Sequence, residues 1–181
     1  MLSGKVTDEI FNILLPSYQF ERANAWYSSY GKPNEQVQIL IYLGRSYAND
    51  GDYDKAMSIY TNALEIGEKN KLYNLVGYTY SYIGDLYREK AMRTEAIKKY
   101  EMAADNFKKE NNTDSYACAL RDMGREYACT DSISRALEIL LMADSITETS
   151  EDKDVKASIE NTLGNIYVMH NKYDKAKKFF Y

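Results

Sequence analysis

The fold is decided by the pentapeptide Leu43-Gly44-Arg45-Ser46-Tyr47, whose pattern returns three times at an unvarying interval of 40 residues. The copies are Ile83-Gly84-Asp85-Leu86-Tyr87, Met123-Gly124-Arg125-Glu126-Tyr127 and Leu163-Gly164-Asn165-Ile166-Tyr167. Glycine makes up only 9 of 181 residues, so a glycine in the same frame of every copy does not follow from composition. A fixed period between about 20 and 50 residues is typical of stacked supersecondary units.

Small and large apolar residues follow the pentapeptide at fixed distances. The repeated positions are Ala56, Ala96, Ala136 and Ala176, then Tyr60, Tyr100, Leu140 and Phe180, then Ala63, Ala103 and Ala143. Glycine costs a helix about 1 kcal/mol relative to alanine, so a repeated glycine indicates a close approach of two helices. We therefore expect each glycine to face the second helix of its own unit, and the tyrosine of each pentapeptide to fill the space between units.

This order of residues resembles the tetratricopeptide repeat, a helix-turn-helix unit, over roughly residues 35–181. The resemblance implies an all-α, right-handed α-solenoid of stacked antiparallel helix hairpins. The period here is 40 residues, whereas the usual unit has about 34, and the closing proline of that unit is absent. These departures imply the longer variety of the repeat that occurs in bacterial regulators and sensor proteins.

The chain is expected to divide into an N-terminal capping half-repeat and four repeats. The half-repeat covers 1–33, and the repeats cover 34–70, 71–111, 112–150 and a truncated 151–181. We expect helix pairs near 35–49 and 53–68, 72–90 and 93–109, 114–129 and 132–148, and 153–170 and 172 to the end.

The two ends of the chain carry their own expectations. In the half-repeat we expect a short helix over 8–15 and a break at Pro16. A second helical segment should begin at Ser17, with Trp26 in the core. Asn34 is then expected to cap the next helix. The last helix stops in mid-pattern, so we expect the natural protein to continue past Tyr181. A native mass near 21 kDa would refute that expectation.

Composition excludes several classes of protein. A hydrophobic share of 45% with 28% charged residues is that of a folded chain. The 23 basic and 27 acidic residues give a net charge of -4, which argues against direct binding of nucleic acid. No apolar run is long enough to span a membrane. Cys118 and Cys129 lie roughly 16 Å apart along one expected helix, so they cannot pair with each other. Two unpaired thiols favour a reducing compartment, which would be the cytoplasm, or an anaerobic source. An extracytoplasmic place stays open for a segment of a longer anchored protein.

The sequence offers no set of residues for catalysis or for a cofactor. His170 is the single histidine, and one histidine with two remote thiols cannot supply the ligands of a metal site. Nucleophile elbows, phosphate loops and HExxH patterns are absent. We therefore expect a protein that is not an enzyme, with no cofactor and no metal.

The resemblance implies a binding groove lined by the first helix of each unit. Carried over by position, the candidate binding residues are Gln38, Tyr42, Arg45, Tyr78, Tyr82, Asp85, Arg121, Arg125, Asn161 and Asn165, with Ile41, Asn49, Ser81, Glu89, Cys118, Asp122, Ser158 and Thr162 beside them. Guanidinium groups among tyrosines suit an extended peptide with acidic or aromatic side chains. The alternative that the arginines pair with the neighbouring acids and only solvate the groove stays open.

These observations predict a non-catalytic scaffold that holds a peptide or protein segment, as the sensing or interaction part of a larger bacterial regulatory protein. Two alternatives stay open: a peptide-pheromone receptor, and a structural module that forms a homodimer through Phe179, Phe180 and Tyr181. For the groove, we expect Arg121→Glu with Arg125→Glu to weaken binding and to change stability by less than about 1 kcal/mol. A clamp for chaperone tails is not expected, because no unit has the Lys-x-x-x-Asn pair that such clamps carry.

Overall fold

The structure is a computed structural model, and it describes residues 17–150 and 152–180. The described residues are helical outside the turns and contain no strand. The helices are α1 Ser17–Tyr30, α2 Pro33–Asn49, α3 Tyr53–Lys69, α4 Tyr73–Glu89, α5 Arg93–Lys109, α6 Thr113–Cys129, α7 Ile133–Ile146, α8 Lys153–Met169 and α9 Tyr173–Phe180, and a 3-10 turn, Thr147–Thr149, follows α7. The all-α fold class is confirmed. The helix expected over 8–15 and the break at Pro16 lie outside the described residues.

The 40-residue period has a simple structural origin in helix and turn lengths. Helices α2 to α6 and α8 each have 17 residues, and a turn of three residues follows each of them, whereas α7 has 14 residues and is extended by the 3-10 turn Thr147–Thr149. The middle residue of each such turn that is described has a positive φ: 81° at Gly51, and between 54° and 57° at Lys71, Ala91, Asn111, Asp131 and Asn171. A helix and its turn therefore take 20 residues, and a hairpin takes 40.

Each of these turns closes with the same hydrogen bond. The residue after the left-handed position donates its backbone N–H to the carbonyl five residues earlier, as Asp52 does to Tyr47 at 2.9 Å and Met92 does to Tyr87 at 2.8 Å. This is the bond of a Schellman motif, which satisfies a carbonyl that the helix end leaves open. The tyrosine of the pentapeptide thus supplies the acceptor of the turn within its repeat.

Polar side chains cap several helix starts. The side chains of Asp52, Asn112 and Asp152 accept hydrogen bonds from backbone N–H groups in the first turns of α3, α6 and α8. The cap expected at Asn34 is wrong, because α2 already begins at Pro33 with Lys32 as its N-cap residue. There the Glu35 side chain accepts from the Lys32 backbone N–H at 2.9 Å, so the capping contact comes from within the helix.

The chain divides into two compact bodies, an N-terminal body, Met1–Thr79, and a C-terminal body, Tyr80–Tyr181. In the N-terminal body, α1 packs against α2 and α2 against α3. Its core includes Val37, Leu40, Leu43, Ala56 and Tyr60. The placement of Trp26 in the core is wrong, because its side chain is 56% exposed. Helix α1 turns Ala23, Asn24 and Tyr27 inward, and Trp26 lies on the flank of that face.

In the C-terminal body, consecutive helices pack in sequence from α5 to α9, and α6 also packs against α8. One core cluster draws on three successive helices, α6, α7 and α8: its members are Ala117, Leu120, Ile139, Leu140, Ala143, Ile159, Leu163 and Ile166. Because the second helix of one repeat is buried by the first helix of the next, hairpins in this body stack in chain order. The repeat boundaries proposed from the sequence stay a prediction.

The repeated glycines lie where the second helix of the same repeat approaches most closely. A Cβ atom on Gly84 would lie 2.6 Å from the Tyr100 ring, and one on Gly124 would lie 2.7 Å from Leu140. Gly44 and Gly164 meet Tyr60 and Phe180 in the same way. The close approach expected within each repeat is thus observed in all four, with the glycine against the large residue 16 positions later.

The tyrosines of the pentapeptides do not share one role. The Tyr47 hydroxyl donates to the Glu21 carboxylate on α1, so this tyrosine reaches the preceding half-repeat. Tyr167 instead stacks on Phe179 of its own repeat, with ring centroids 5.8 Å apart. The expectation that all four fill the space between repeats is therefore too uniform.

Candidate functional site

Asp85, one of the predicted binding residues, is held in place by two contacts within the protein. On α4, its Oδ1 accepts from the Tyr100 hydroxyl at 2.8 Å and pairs with Arg88 at 2.8 Å. Among the described residues, its second carboxylate oxygen accepts no hydrogen bond. Burial raises the pKa of Asp85 and outweighs the opposite effect of Arg88, and burial with the nearby carboxylate also raises the pKa of Tyr100. Tyr100 is 0% exposed and acts as a fixed donor.

Arg121 acts as a clamp between first helices. Its Nε and Nη2 donate to both oxygens of Asp122 at 2.9 to 3.1 Å, and its Nη1 donates to the Ser158 hydroxyl on α8 at 2.7 Å. The guanidinium therefore uses all three of its nitrogens within the protein. Burial is the largest single influence and acts to lower the pKa of Arg121, but the nearby groups, with Asp122 first among them, together raise that pKa. The role of Arg121 is therefore mainly structural.

Arg125 is the more available cation of this surface. Its side chain is 45% exposed, and its one ion pair in the described part of the chain is a 3.5 Å contact to Asp122. Asp122 is already engaged by Arg121, so Arg125 keeps most of its five donors for solvent or a ligand. The pKa of Asp85 is raised overall by burial, and the charge of Arg125 opposes that rise as a smaller influence. The two groups are therefore close enough to interact electrostatically.

Asp85, Arg125 and Asn165 occupy equivalent positions on α4, α6 and α8, each 40 residues from the next. Asn165 is exposed and donates to Asn161 at a distance of 3.5 Å. The first helices of this body thus present an acid, a base and an amide in order. We call these three residues the charged row.

The structure supports part of the alternative that the arginines only solvate the groove. Arg121 pairs with Asp122 as that alternative requires, and Arg125 does so weakly. The partner of Asp85, however, is Arg88, which the sequence reasoning missed. The signal was available, because an acid and a base three positions apart meet on one helix face.

The remaining predicted residues lie elsewhere. Gln38, Tyr42 and Arg45 are on α2 of the N-terminal body, where Gln38 is exposed and the other two are half-buried. Tyr78 is exposed at the end of that body, and Tyr82 is half-buried in the other. The placement of Ile41 on the groove is wrong, because it is 6% exposed and belongs to the core.

The described residues include the single histidine and both cysteines of the chain. Within them, no three His, Cys, Asp or Glu side chains come together as metal ligands would, and none of the helices has the length and apolarity to cross a bilayer. His170 is exposed at the end of α8. Cys118 and Cys129 are free thiols, and burial raises the pKa of Cys118.

Comparison with known proteins gives a match to one family model over part of the chain and two curated relatives. Residues 35–109 match the family model described as tetratricopeptide repeat. The chain is similar to the Photosystem I assembly protein Ycf3 of Acaryochloris marina, with 34% identity over 79 residues that cover 42% of this chain and 47% of the relative. The protein of the same name from Rippkaea orientalis is 30% identical over 77 residues, covering 42% and 44%. The chain thus spans about half the length of the curated relatives that it matches.

Solved structures share the fold at low identity. BtubC from P. vanneervenii has a TM-score of 0.71 at 20% identity, covering 89% of this chain and 70% of that one. A putative kinesin light chain with TPR-like repeats from Podosopora anserina has a TM-score of 0.69 at 14% identity, covering 91% and 82%. The quorum sensor NprR from B. thuringiensis, in its apo form, has a TM-score of 0.67 at 13% identity, covering 94% and 60%. These likenesses confirm a TPR-like solenoid as the fold class.

Proposed function

We propose that the chain, whose residues 35–109 match the tetratricopeptide repeat, is a non-catalytic scaffold that holds a peptide or a segment of a partner protein on its first helices. The observation that carries the proposal is the charged row of the C-terminal body. A carboxylate fixed by a buried tyrosine and a guanidinium with unused donors are groups prepared to bind a ligand, because little ordering of side chains is needed on association. Hydrogen bonds between charged groups are also among the strong ones.

The test uses a random-peptide display library selected against the whole chain. For a peptide recovered from the selection, Arg125→Glu should weaken binding about tenfold or more, because truncating or inverting a central charged contact costs roughly 1.4 kcal/mol or more. Arg135→Glu is the matched control, since Arg135 is an exposed arginine on the second helix α7. Calorimetry measures both. A selection without binders, or equal effects of the two substitutions, would contradict the proposal.

The contacts of Arg121 determine which substitution is suitable for testing binding on the first helices. Inverting Arg121 would place a carboxylate beside Asp122 and remove the hydrogen bond to Ser158 that joins α6 to α8. We therefore expect the pair Arg121→Glu with Arg125→Glu to lower stability as well as binding, by more than the roughly 1 kcal/mol expected of surface changes. Arg125 alone is the suitable site.

A regulatory setting is the finer part of the proposal. We infer that the scaffold belongs to the sensing or interaction part of a larger bacterial regulatory protein. The 40-residue period and the shared fold of a quorum sensor support this role, and the Ycf3 relatives support a role in assembling other proteins. A peptide-pheromone receptor is the special case in which a short free peptide binds without a partner protein.

Self-association is a second candidate function, favoured by one observation. Phe180 is 44% exposed, whereas Tyr60, Tyr100 and Leu140 at the equivalent positions are at most 1% exposed. A second copy of the chain that buried Phe180 and Phe179 would form a homodimer. Light scattering of the chain should then give twice the monomer mass, and Phe180→Ser should return it to the monomer mass. A monomer at high concentration would remove this candidate.

A further inference from the structure

We propose that the segment held by the C-terminal body carries charges in a fixed order: a basic side chain opposite Asp85 and an acidic side chain opposite Arg125, about three residues apart in an extended chain. This inference rests on the proposed function and goes beyond it by naming the chemistry of the ligand. The arginines and tyrosines suggested a peptide with acidic or aromatic side chains, and the contacts of Asp85 add a basic side chain to that ligand.

The basic side chain of the ligand is inferred from the contacts of Asp85. Tyr100 and Arg88 both contact Oδ1, and they fix the plane of the carboxylate while leaving Oδ2 without a hydrogen bond from the described residues. Arg88 and Glu89 also contact each other at 3.4 Å, so the charge of Arg88 is shared between two acids. An exposed Lys or Arg of the ligand can therefore pair with Asp85 without displacing an internal partner.

The acidic side chain of the ligand is inferred from the fact that Arg121 and Arg125 both contact Asp122. Arg121 donates to both oxygens of Asp122, and Arg125 reaches it only at 3.5 Å. A carboxylate of the ligand can take two parallel hydrogen bonds from the guanidinium of Arg125, an arrangement that no carboxylate of the described residues makes with it. Arg125 thus gains a better partner on binding and loses little.

The spacing follows from the packing of first helices. In this body α6 lies against α8, and Arg121 on α6 reaches Ser158 on α8 at 2.7 Å. Packed helices lie about 8–10 Å apart, and Asp85 and Arg125 are equivalent residues of successive first helices. An extended chain advances about 3.3 Å per residue, so a segment crossing the helices meets these two residues about three positions apart.

The experiment compares the sequences selected from a random-peptide display library by the whole chain and by two neutralised variants. Asp85→Asn keeps the shape of the side chain and an acceptor for Tyr100, and Arg125→Gln keeps length and polarity. Asp105→Asn and Arg135→Gln serve as matched controls on the second helices α5 and α7, where both residues are exposed. Circular dichroism melting establishes that each variant is folded.

We expect the unaltered chain and both controls to enrich peptides with a basic and an acidic residue about three positions apart. Asp85→Asn should lose the preference for the basic residue and keep the acidic one, and Arg125→Gln should do the reverse. Enriched peptides with no ordered charges, or the same charges selected by all variants, would overturn the charge order while leaving the scaffold intact. A selection that enriches no peptide with any variant would overturn the proposed function itself.

Discussion

Residues of the turns and helix contacts determine how the repeats are built. Ala91 adopts a φ of 56°, in the left-handed region where a Cβ atom is unfavourable, while Gly51 occupies the equivalent position in the preceding repeat. The turn has the same length and the same closing hydrogen bond at both places. The geometry of the turn is thus set by the hairpin. The type of residue at the centre of the turn changes only the free energy of that conformation.

Ala91→Gly should stabilise the protein by about 0.5–1 kcal/mol, because relief of left-handed strain exceeds the extra entropy that glycine adds to the unfolded chain. Gly51→Ala is the mirror control and should destabilise by a similar amount. Urea denaturation measures both free energies of unfolding. A loss of stability for Ala91→Gly would show that the left-handed turn does not limit stability at this position.

Asp144 on α7 is a second residue whose local state has a measurable consequence. Its Oδ1 is buried and has no hydrogen-bond partner among residues 17–150 and 152–180, and its pKa is raised chiefly by burial, with Lys156 acting in the opposite direction and Glu148 adding to the rise. Ala104 stands at the equivalent position in the preceding repeat. An ionised carboxylate is therefore less favourable here than in the unfolded chain.

Asp144→Ala should stabilise the protein at pH 7 by about 1 kcal/mol. Since the folded-state pKa lies above the unfolded one, the penalty is present when the group is ionised and disappears as pH falls through the folded pKa. The gain from the substitution should thus shrink between pH 7 and about pH 4. Urea denaturation at several pH values measures it, with the exposed Asp105→Ala as control. A gain that is independent of pH would contradict a buried, ionised carboxylate.

Helices α5 and α6 are joined by an ion pair between Arg93 and Glu126, whose closest atoms are 2.8 Å apart. The two side chains differ in exposure, at 37% for Arg93 and 3% for Glu126. The pentapeptide pattern did not indicate this pair, because Glu126 stands where the other copies have serine, leucine and isoleucine. Loss of Arg93 would leave the buried Glu126 carboxylate unpaired at a position that is otherwise mostly apolar. Loss of Glu126 would leave Arg93 partly exposed to water, so the first loss should cost more stability.

Arg93→Met should destabilise the protein by roughly 3 kcal/mol, since it leaves a buried carboxylate without a cation. Glu126→Gln should cost about 1 kcal/mol, because Arg93 can turn to water and the amide still accepts a hydrogen bond. Denaturation with urea at neutral pH gives both values. Equal costs, or a larger cost for Glu126→Gln, would contradict the asymmetry in burial.

The sequence was sufficient for the helices and not for the side-chain contacts between them. Repeated glycines and alanines fix where helices touch, so helix bounds and the pairing of Gly84 with Tyr100 could be predicted from their spacing. The contacts of Arg121 could not, because its fork could meet either neighbouring acids on α6 or a residue on α8, and packing distances decide between them. The exposure of Trp26 was missed because its type suggested burial, whereas the inward face of α1 is formed by Ala23, Asn24 and Tyr27.

For the molecule as a whole, the repeat offers two different surfaces to a partner. First helices of the C-terminal body carry the charged row, and second helices of the same body expose apolar side chains such as Met102 and Met142. The proposed function assigns binding to the first helices. The balance of 23 basic and 27 acidic residues agrees with a ligand recognised by local charge order rather than by net attraction.

The most direct test of this claim is the site at which a selected peptide touches the chain. A photo-crosslinking amino acid is placed at Asn165, on first helix α8, and in a second variant at Met142, on second helix α7. We expect mass spectrometry to find the peptide attached at position 165 and not at 142. Attachment at 142 without attachment at 165 would contradict binding on the first helices.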